Sequence, residues 1–216
     1  MADAANNRRR GRPPGGRPRP FLPADEVAGS TWPVEPTRQE VRVVVGLGNA
    51  ESRYARTRHN VGAVAVARAA ERLGLRPQPG ATPVAGGRGG LVLPSGYMNE
   101  SGRAVRRAVE RWRPAPQGLL VVHDDLELPT GVVLEKLGGG HGGHNGLRDV
   151  IAALGSGAFR RLRIGIGRPP GRLDPADYVL APFQAAEREA IEAAIDRASD
   201  LVVAFFQELG GLAGAT

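Results

Sequence analysis

Four histidines occur in this chain, His59, His123, His141 and His144, and each sits in or beside a segment that reads as a loop. Histidine is the side chain that exchanges protons near neutrality. Paired with a carboxylate, it suits general-base activation of water: the carboxylate accepts from one ring nitrogen, sets the tautomer and stabilises the imidazolium that forms. Asp124, at the end of an apolar run, is the candidate carboxylate. Asn49, Asn99 and Asn145 lie in three further polar segments. They offer neutral donors to a carbonyl oxygen that turns negative as water attacks, or to the amides of a substrate. There is no Cys and no Gly-x-Ser-x-Gly elbow, so no covalent nucleophile is evident. His141 and His144 have an H-x-x-H spacing, but on a flexible loop the two imidazoles are not preorganised, and no metal is expected. Gly46-Leu47-Gly48 lacks the third glycine of a dinucleotide fingerprint, and no cofactor is expected.

The densest of these polar segments is Gly139-Gly140-His141-Gly142-Gly143-His144-Asn145-Gly146-Leu147. Glycine at this density lets the backbone take positive φ and lets a ligand approach the main chain. Leu147, Val150, Ile151 and Leu154 follow at helical spacing, so the loop opens a helix with Asn145 near its N-cap. Free N–H groups at such a terminus favour an anion or a polarised carbonyl.

The elements that must position these groups read as alternating strands and helices. Val43-Val44-Val45 is a buried strand that feeds Gly46-Leu47-Gly48-Asn49. A polar loop, Glu51 to Asn60, precedes a helix from about Val61 to Leu73. Leu91 to Leu93 is a strand closed by Pro94, Met98 to Trp112 a helix, Leu119 to Val122 a strand that ends in His123-Asp124-Asp125, and Val132 to Leu134 a short fourth strand. Strict alternation of Leu162, Ile164 and Ile166 predicts a half-buried strand, and Ile191, Ile195, Ala198, Val202 and Leu209 mark a long amphipathic C-terminal helix from Ala185. The pattern predicts an α/β single domain, a three-layer sandwich with a mixed, mostly parallel central sheet flanked by helices. In such folds ligands gather beyond the carboxyl ends of the strands, where Asn49, Tyr97, Asn99 and Asp124 are expected to converge.

Length and charge bound the rest. At 216 residues one domain with a real core is expected. The absence of Cys excludes a disulfide framework and fits a reducing compartment. No apolar run reaches membrane-spanning length, so no membrane contact is expected and a cytoplasmic location is. The net charge is +7, but residues 1–20 hold six Arg and one Asp, leaving only +2 for the remainder. The Arg/Pro/Gly-rich residues 1–39 read as a disordered basic extension, and residues 40–216 as the folded domain.

Together these segments resemble the bacterial peptidyl-tRNA hydrolase family. The resemblance rests on Val45-Gly46-Leu47-Gly48-Asn49, Tyr54, Thr57-Arg58-His59-Asn60-Val61-Gly62, Tyr97-Met98-Asn99-Glu100-Ser101-Gly102, Val122 to Pro129, Gly138 to Leu147 and Arg161 to Gly167, in order and at near-family spacing. It implies a monomeric α/β domain without cofactor that cleaves the ester between a nascent peptide and the terminal ribose of tRNA. By matched position it implies that His59 activates water, that Asp124 holds His59 in its basic form, and that Asn49 discriminates N-blocked peptidyl esters from free aminoacyl esters. Tyr54, Tyr97, Asn99 and Asn145 would bind the tRNA–peptide junction, with His144 lining the site.

The chain also departs from that pattern. The usual Gly-Asn-Pro-Gly is Gly48-Asn49-Ala50-Glu51, which frees the turn at Asn49 and adds a negative charge. Residues 75–91 are shorter than usual and lack the expected aromatic-basic strand, and Leu134 replaces a basic residue two places before Lys136. Each change weakens an expected grip on phosphates; Arg103, Arg106 and Arg107, or the basic extension, are candidates to compensate. Two other readings stay open at this point: a non-catalytic RNA-binding member of the same fold, and a hydrolase of another ester or amide.

Overall fold

A computed structural model describes residues 41–84 and 88–207. The expectations for residues 1–39 and for Leu209 lie outside the described residues. Eleven strands and α-helices are described: β1 (Arg42–Gly46), α1 (Val61–Arg72), β2 (Gly80–Pro83), β3 (Gly89–Leu93), α2 (Ser101–Trp112), β4 (Leu119–Asp125), β5 (Val133–Leu137), α3 (Asn145–Leu154), β6 (Arg160–Gly165), α4 (Pro175–Leu180) and α5 (Arg188–Gln207). They form one six-stranded sheet in the order β2-β3-β1-β4-β6-β5. The four central strands are parallel, and β2 and β5 close the two edges antiparallel.

Side chains alternate across a strand, so each central strand serves two cores. Val43 and Val45 of β1, with Leu119 and Val121 of β4, pack with Val105, Leu147 and Val150 of α2 and α3. Val44, Leu120 and Val122 turn the other way, onto Val66 of α1 and Ile195 and Val202 of α5. The result is helix pair, sheet, helix pair: the three-layer α/β sandwich that the alternation of elements predicts.

Four local differences from the sequence reading have physical causes. The loop from Glu51 to Asn60 contains two 3-10 turns, Ser52–Tyr54 and Arg58–Asn60, too short to show a period. β2 forms from Gly-Ala-Thr-Pro, where no strand was expected. It lies at the edge of the sheet, where Pro83, which has no N–H to give, is tolerated at the last position, and Val84 N–H still donates to the Gly89 carbonyl at 3.2 Å. α4 was also missed; its signals are Asp174, whose side chain caps Ala176 N–H at 2.8 Å, and Pro175 at the first helical position. β6 is not half-buried: Leu162, Ile164 and Ile166 are fully covered, but Arg161 on the opposite face is also only 3% exposed. The Gly-rich loop folds over that face, which periodicity alone does not reveal.

Candidate active site

The histidine–carboxylate couple forms because two backbones approach closely. Gly62, in the first turn of α1, packs on β4 so tightly that a Cβ there would lie 2.3 Å from the Val122 carbonyl oxygen. This contact seats the Arg58–Asn60 turn against the end of β4, and His59 meets Asp124. His59 Nδ1 lies 2.9 and 3.1 Å from the two Asp124 carboxylate oxygens. Asp124 is the sixth residue of β4, inside the strand and not after it, and its backbone is paired with Ile164 of β6.

A second imidazole completes the group. His144 Nε2 lies 3.0 Å from Asp124 Oδ1, and the Leu147 N–H donates to His144 Nδ1 at 3.3 Å. His144, and not Asn145, is therefore the N-cap of α3, with Asn145 one place inside the helix. The contacts assign both tautomers. His144 accepts at Nδ1 and so donates from Nε2. His59 donates from Nδ1 to the carboxylate, which leaves its Nε2 as a lone pair with no hydrogen-bond partner among the described residues. Burial alone would raise the Asp124 pKa, but the charges and hydrogen bonds of His59 and His144 outweigh it and hold the carboxyl well below its ordinary value.

His123 is buried behind the couple. Its Nδ1 lies 2.7 Å from the Asp124 backbone oxygen, its ring stands edge-on to His144 at 5.2 Å between centroids, and its Nε2 is buried without a partner among the described residues. Burial first, then the neighbouring His144, pushes its pKa down to about 3. His123 stays a neutral imidazole.

The Gly-rich loop supplies one wall. Gly138, Gly139, Gly142 and Gly143 take φ between 55° and 113°, a region open to glycine and costly for other residues. The buried Arg161 guanidinium donates to the carbonyls of Gly139 and Gly140 and so holds the loop over β6. The cavity it bounds, about 620 Å³, is lined by His59, Asp124, His144 and Asn145. Its far side carries Lys136, Arg161, Arg163 and Arg168. Arg163 is paired with Asp125 at 2.7 Å and Arg168 with Glu127 at 2.6 Å. Lys136, on β5, has no ion pair among those described.

Asn49 is held from three sides. Its N–H donates to Asn60 Oδ1 and its carbonyl accepts from Asn60 Nδ2, both at 2.8 Å, while its own Oδ1 accepts the Met98 N–H at 2.8 Å. The Nδ2 group is left as a donor without a partner among the described residues. Asn60 is thus a positioning residue to which sequence reasoning gave no role; its signal was its place beside His59 in the Thr57–Gly62 motif. Asn49 lines a separate depression of about 330 Å³ and not the larger cavity. Met98, whose N–H is bonded to Asn49, also packs on the first turn of α3: its sulfur would lie 2.5 Å from a Cβ on Gly146. Tyr54, Tyr97 and Asn99 line neither space. Tyr54 is half-buried under the Arg53 guanidinium, and Tyr97 and Asn99 are exposed on the 3-10 turn that opens α2. Glu51, the acid that departs from the family pattern, is ion-paired with Arg53 at 2.8 Å, and its hydrogen bond raises the Tyr97 phenol above its ordinary pKa.

His59, Asp124 and His144 form a cluster whose donor atoms lie within 4.8 Å of one another, close enough to consider a shared cation. His141 is not part of it; its Nδ1 accepts the Gly143 N–H at 3.0 Å. The contacts at 2.9 and 3.0 Å are hydrogen bonds, and a metal would have to replace the protons in both.

The class these features define is an α/β hydrolytic domain with a histidine–carboxylate couple at the carboxyl edge of its sheet. The sequence model described as peptidyl-tRNA hydrolase matches residues 43–213. Proteins named peptidyl-tRNA hydrolase are similar over most of the chain: that of Mycobacterium tuberculosis is 48% identical over 169 residues, 74% of this chain and 88% of its own, and that of Nocardia farcinica 49% identical over 168 residues, 74% and 87%. The crystal structure of peptidyl-tRNA hydrolase from Acinetobacter baumannii superimposes with a TM-score of 0.70 at 35% identity, over 81% of this chain and 93% of that one. The chain belongs to the peptidyl-tRNA hydrolase family.

Proposed function

We propose that this chain hydrolyses the ester between peptide and tRNA in peptidyl-tRNA, with His59 as the general base, and releases free peptide and tRNA. The observation that carries the reading is the His59 Nδ1–Asp124 contact at 2.9 Å, which leaves Nε2 as a lone pair in a residue lining a 620 Å³ cavity. Nε2 takes a proton from water, and the water oxygen attacks the ester carbonyl carbon. The imidazolium, stabilised by Asp124, then returns the proton to the departing ribose oxygen as the tetrahedral intermediate collapses. An ester is reactive enough that an activated water and neutral donors suffice without a covalent intermediate.

Asn145, which lines the cavity, is the carboxamide donor for the oxyanion, and Asn49 Nδ2 and the exposed Asn99 carboxamide, outside that cavity, are donors for the peptide amides. Tyr54 and Tyr97 flank the Asn49 loop, and His144 lines the cavity beside the base. Lys136 is the cation best placed to meet an RNA phosphate, because Arg163 and Arg168 are neutralised by Asp125 and Glu127. Arg106, proposed from sequence as a compensating contact, is paired with Glu110 at 2.9 Å, while Arg103 and Arg107 on the same helix are exposed.

All these groups come from a single chain, so a monomer suffices. Among the described residues no helix is long and apolar enough to cross a membrane, which agrees with work in the cytoplasm on a product of translation.

The test is cleavage of an N-acetylated aminoacyl-tRNA beside its unacetylated counterpart, by the native protein and by His59→Ala. Cleavage of the first substrate alone, reduced about 1,000-fold or more in the variant, supports the reading. Equal cleavage of both substrates, or a variant of near-native activity, overturns it.

A further inference from the structure

We infer that Arg58 is a positioning residue that joins the base to the wall of the substrate cavity; the inference rests on the assignment of His59 as base. Arg58 precedes His59 in the same 3-10 turn, but its side chain is 3% exposed and does not line the cavity. It runs instead to the α4–α5 connection. Its Nη1 donates to the Pro182 carbonyl at 2.7 Å and to the Ala181 carbonyl at 3.3 Å, and its Nη2 to Glu187 Oε2 at 2.6 Å. The guanidinium also stands 4.1 Å from the Tyr178 ring centroid and 5.1 Å from that of Phe183. A planar fork stacked on aromatic rings uses properties that lysine lacks.

The backbone makes the same connection. The Arg58 N–H donates to the Ala181 carbonyl at 3.1 Å, and Thr57 pairs with Pro182 in an isolated antiparallel bridge. On the other side of this junction, α4 forms part of the cavity wall through Pro175, Ala176 and Val179. Tyr178, the ring that Arg58 stacks on, is buried and tied to the end of β6 by a 2.8 Å hydrogen bond to the Ile166 carbonyl. One guanidinium thus holds the base turn, the wall helix and the end of the Ala185–Glu187 turn in a single arrangement.

The turn that carries His59 is seated on β4 through Gly62 and tied to Asn49 through Asn60, and Arg58 adds the anchor that faces α4. Asp124 constrains the His59 ring but not that side of the turn. A shift of the turn by about 1 Å takes Nε2 out of line with the attacking water, at a cost of up to about 100-fold in rate. Substrate pressed against α4 reaches the base turn through the same contacts.

The experiment compares native protein, Arg58→Lys, Glu187→Gln and the double variant, using N-acetylated aminoacyl-tRNA, thermal unfolding, and the proton resonance of the His59 Nδ1–H bonded to Asp124. In folded Arg58→Lys we expect kcat to fall about 10- to 100-fold, KM to stay within about twofold, and the resonance to broaden or vanish. In Glu187→Gln, which keeps an acceptor but loses the charge, we expect a smaller kcat loss that is not additive in the double variant. If Arg58→Lys does not fold, Glu187→Gln decides: a kcat loss together with an altered resonance supports the inference. Native kcat with a native resonance, or a rise in KM alone, overturns it. Native activity in His59→Ala would instead overturn the assignment of the base, so the two failures are distinguishable.

Discussion

Replacing Asp124 by Asn isolates the electrostatic role of the couple from its shape. The carboxylate accepts twice at Oδ1, from His59 at 2.9 Å and His144 at 3.0 Å, and once at Oδ2, from His59 at 3.1 Å. An amide of the same shape has one acceptor oxygen and one NH2 group. With the oxygen in the Oδ1 place, the His144 contact and the 2.9 Å His59 contact keep their acceptor, but the NH2 falls where Oδ2 stood, 3.1 Å from His59 Nδ1. Two donors then oppose each other, and His59 relieves the clash by moving its proton to Nε2, the atom that must accept one from water. The wrong tautomer becomes the ground state, and the imidazolium loses its counter-charge. Both effects act on the chemical step, and a loss of about 10³ to 10⁴ in kcat is expected, or about 4 to 5.5 kcal/mol of transition-state stabilisation. Asp124 is 3% exposed and enclosed by its own partners, so KM should change by less than about threefold. Single-turnover hydrolysis of an N-acetylated aminoacyl-tRNA, with circular dichroism as the fold control, reads both quantities. A folded variant with kcat within tenfold of native would refute the tautomer argument, and so would a loss appearing wholly in KM.

Two further outcomes are expected. Lys136→Ala should raise KM mainly at low salt and reduce the slope of log(kcat/KM) against log salt by about one, because a single phosphate contact is removed; an unchanged slope would take Lys136 out of the RNA-binding surface. His123, held to about pKa 3 by burial and by His144, makes stability depend on pH: below about pH 6.5 the unfolded chain takes up a proton that the folded chain refuses, so stability falls as pH drops from about 6.5 towards 3. Asp124 acts lower on the scale, its stabilisation being present above about pH 4 and lost in stronger acid. Between pH 7.5 and pH 5, His123→Asn should therefore lose about 2 kcal/mol less than the native protein in urea unfolding, and equal losses would refute the buried neutral histidine.

Much of this protein is legible in its sequence for a simple reason: the signals are local. Apolar runs such as Val43-Val44-Val45 and Leu119 to Val122 mark buried parallel strands because both faces must be covered, and the spacing from Leu147 to Leu154 marks a helix because one face must be. The absence of Cys and the confinement of His to polar segments limit the chemistry, and the order of the motifs carries the family. Local signals fail where a partner is remote. β2 exists only because β3 presents an edge to it. β6 is covered on its Arg face only because Arg161 holds the Gly-rich loop across it. Asn60 and Arg58 look like loop residues until their partners, Asn49 and the α4–α5 connection, are in place.

By itself, then, the chain determined which groups were available and that an alternating α/β sandwich would bring their loops to one edge of a sheet. Tertiary structure alone decided that His59 and His144 share one carboxylate, which ring nitrogen stays bare, and that the arginines beside the cavity are mostly spent on partners. The physical reason is that hydrogen bonds and ion pairs depend on separations of a few ångströms between residues 20 to 124 positions apart, and spacing along a chain says nothing about such distances until the core has packed.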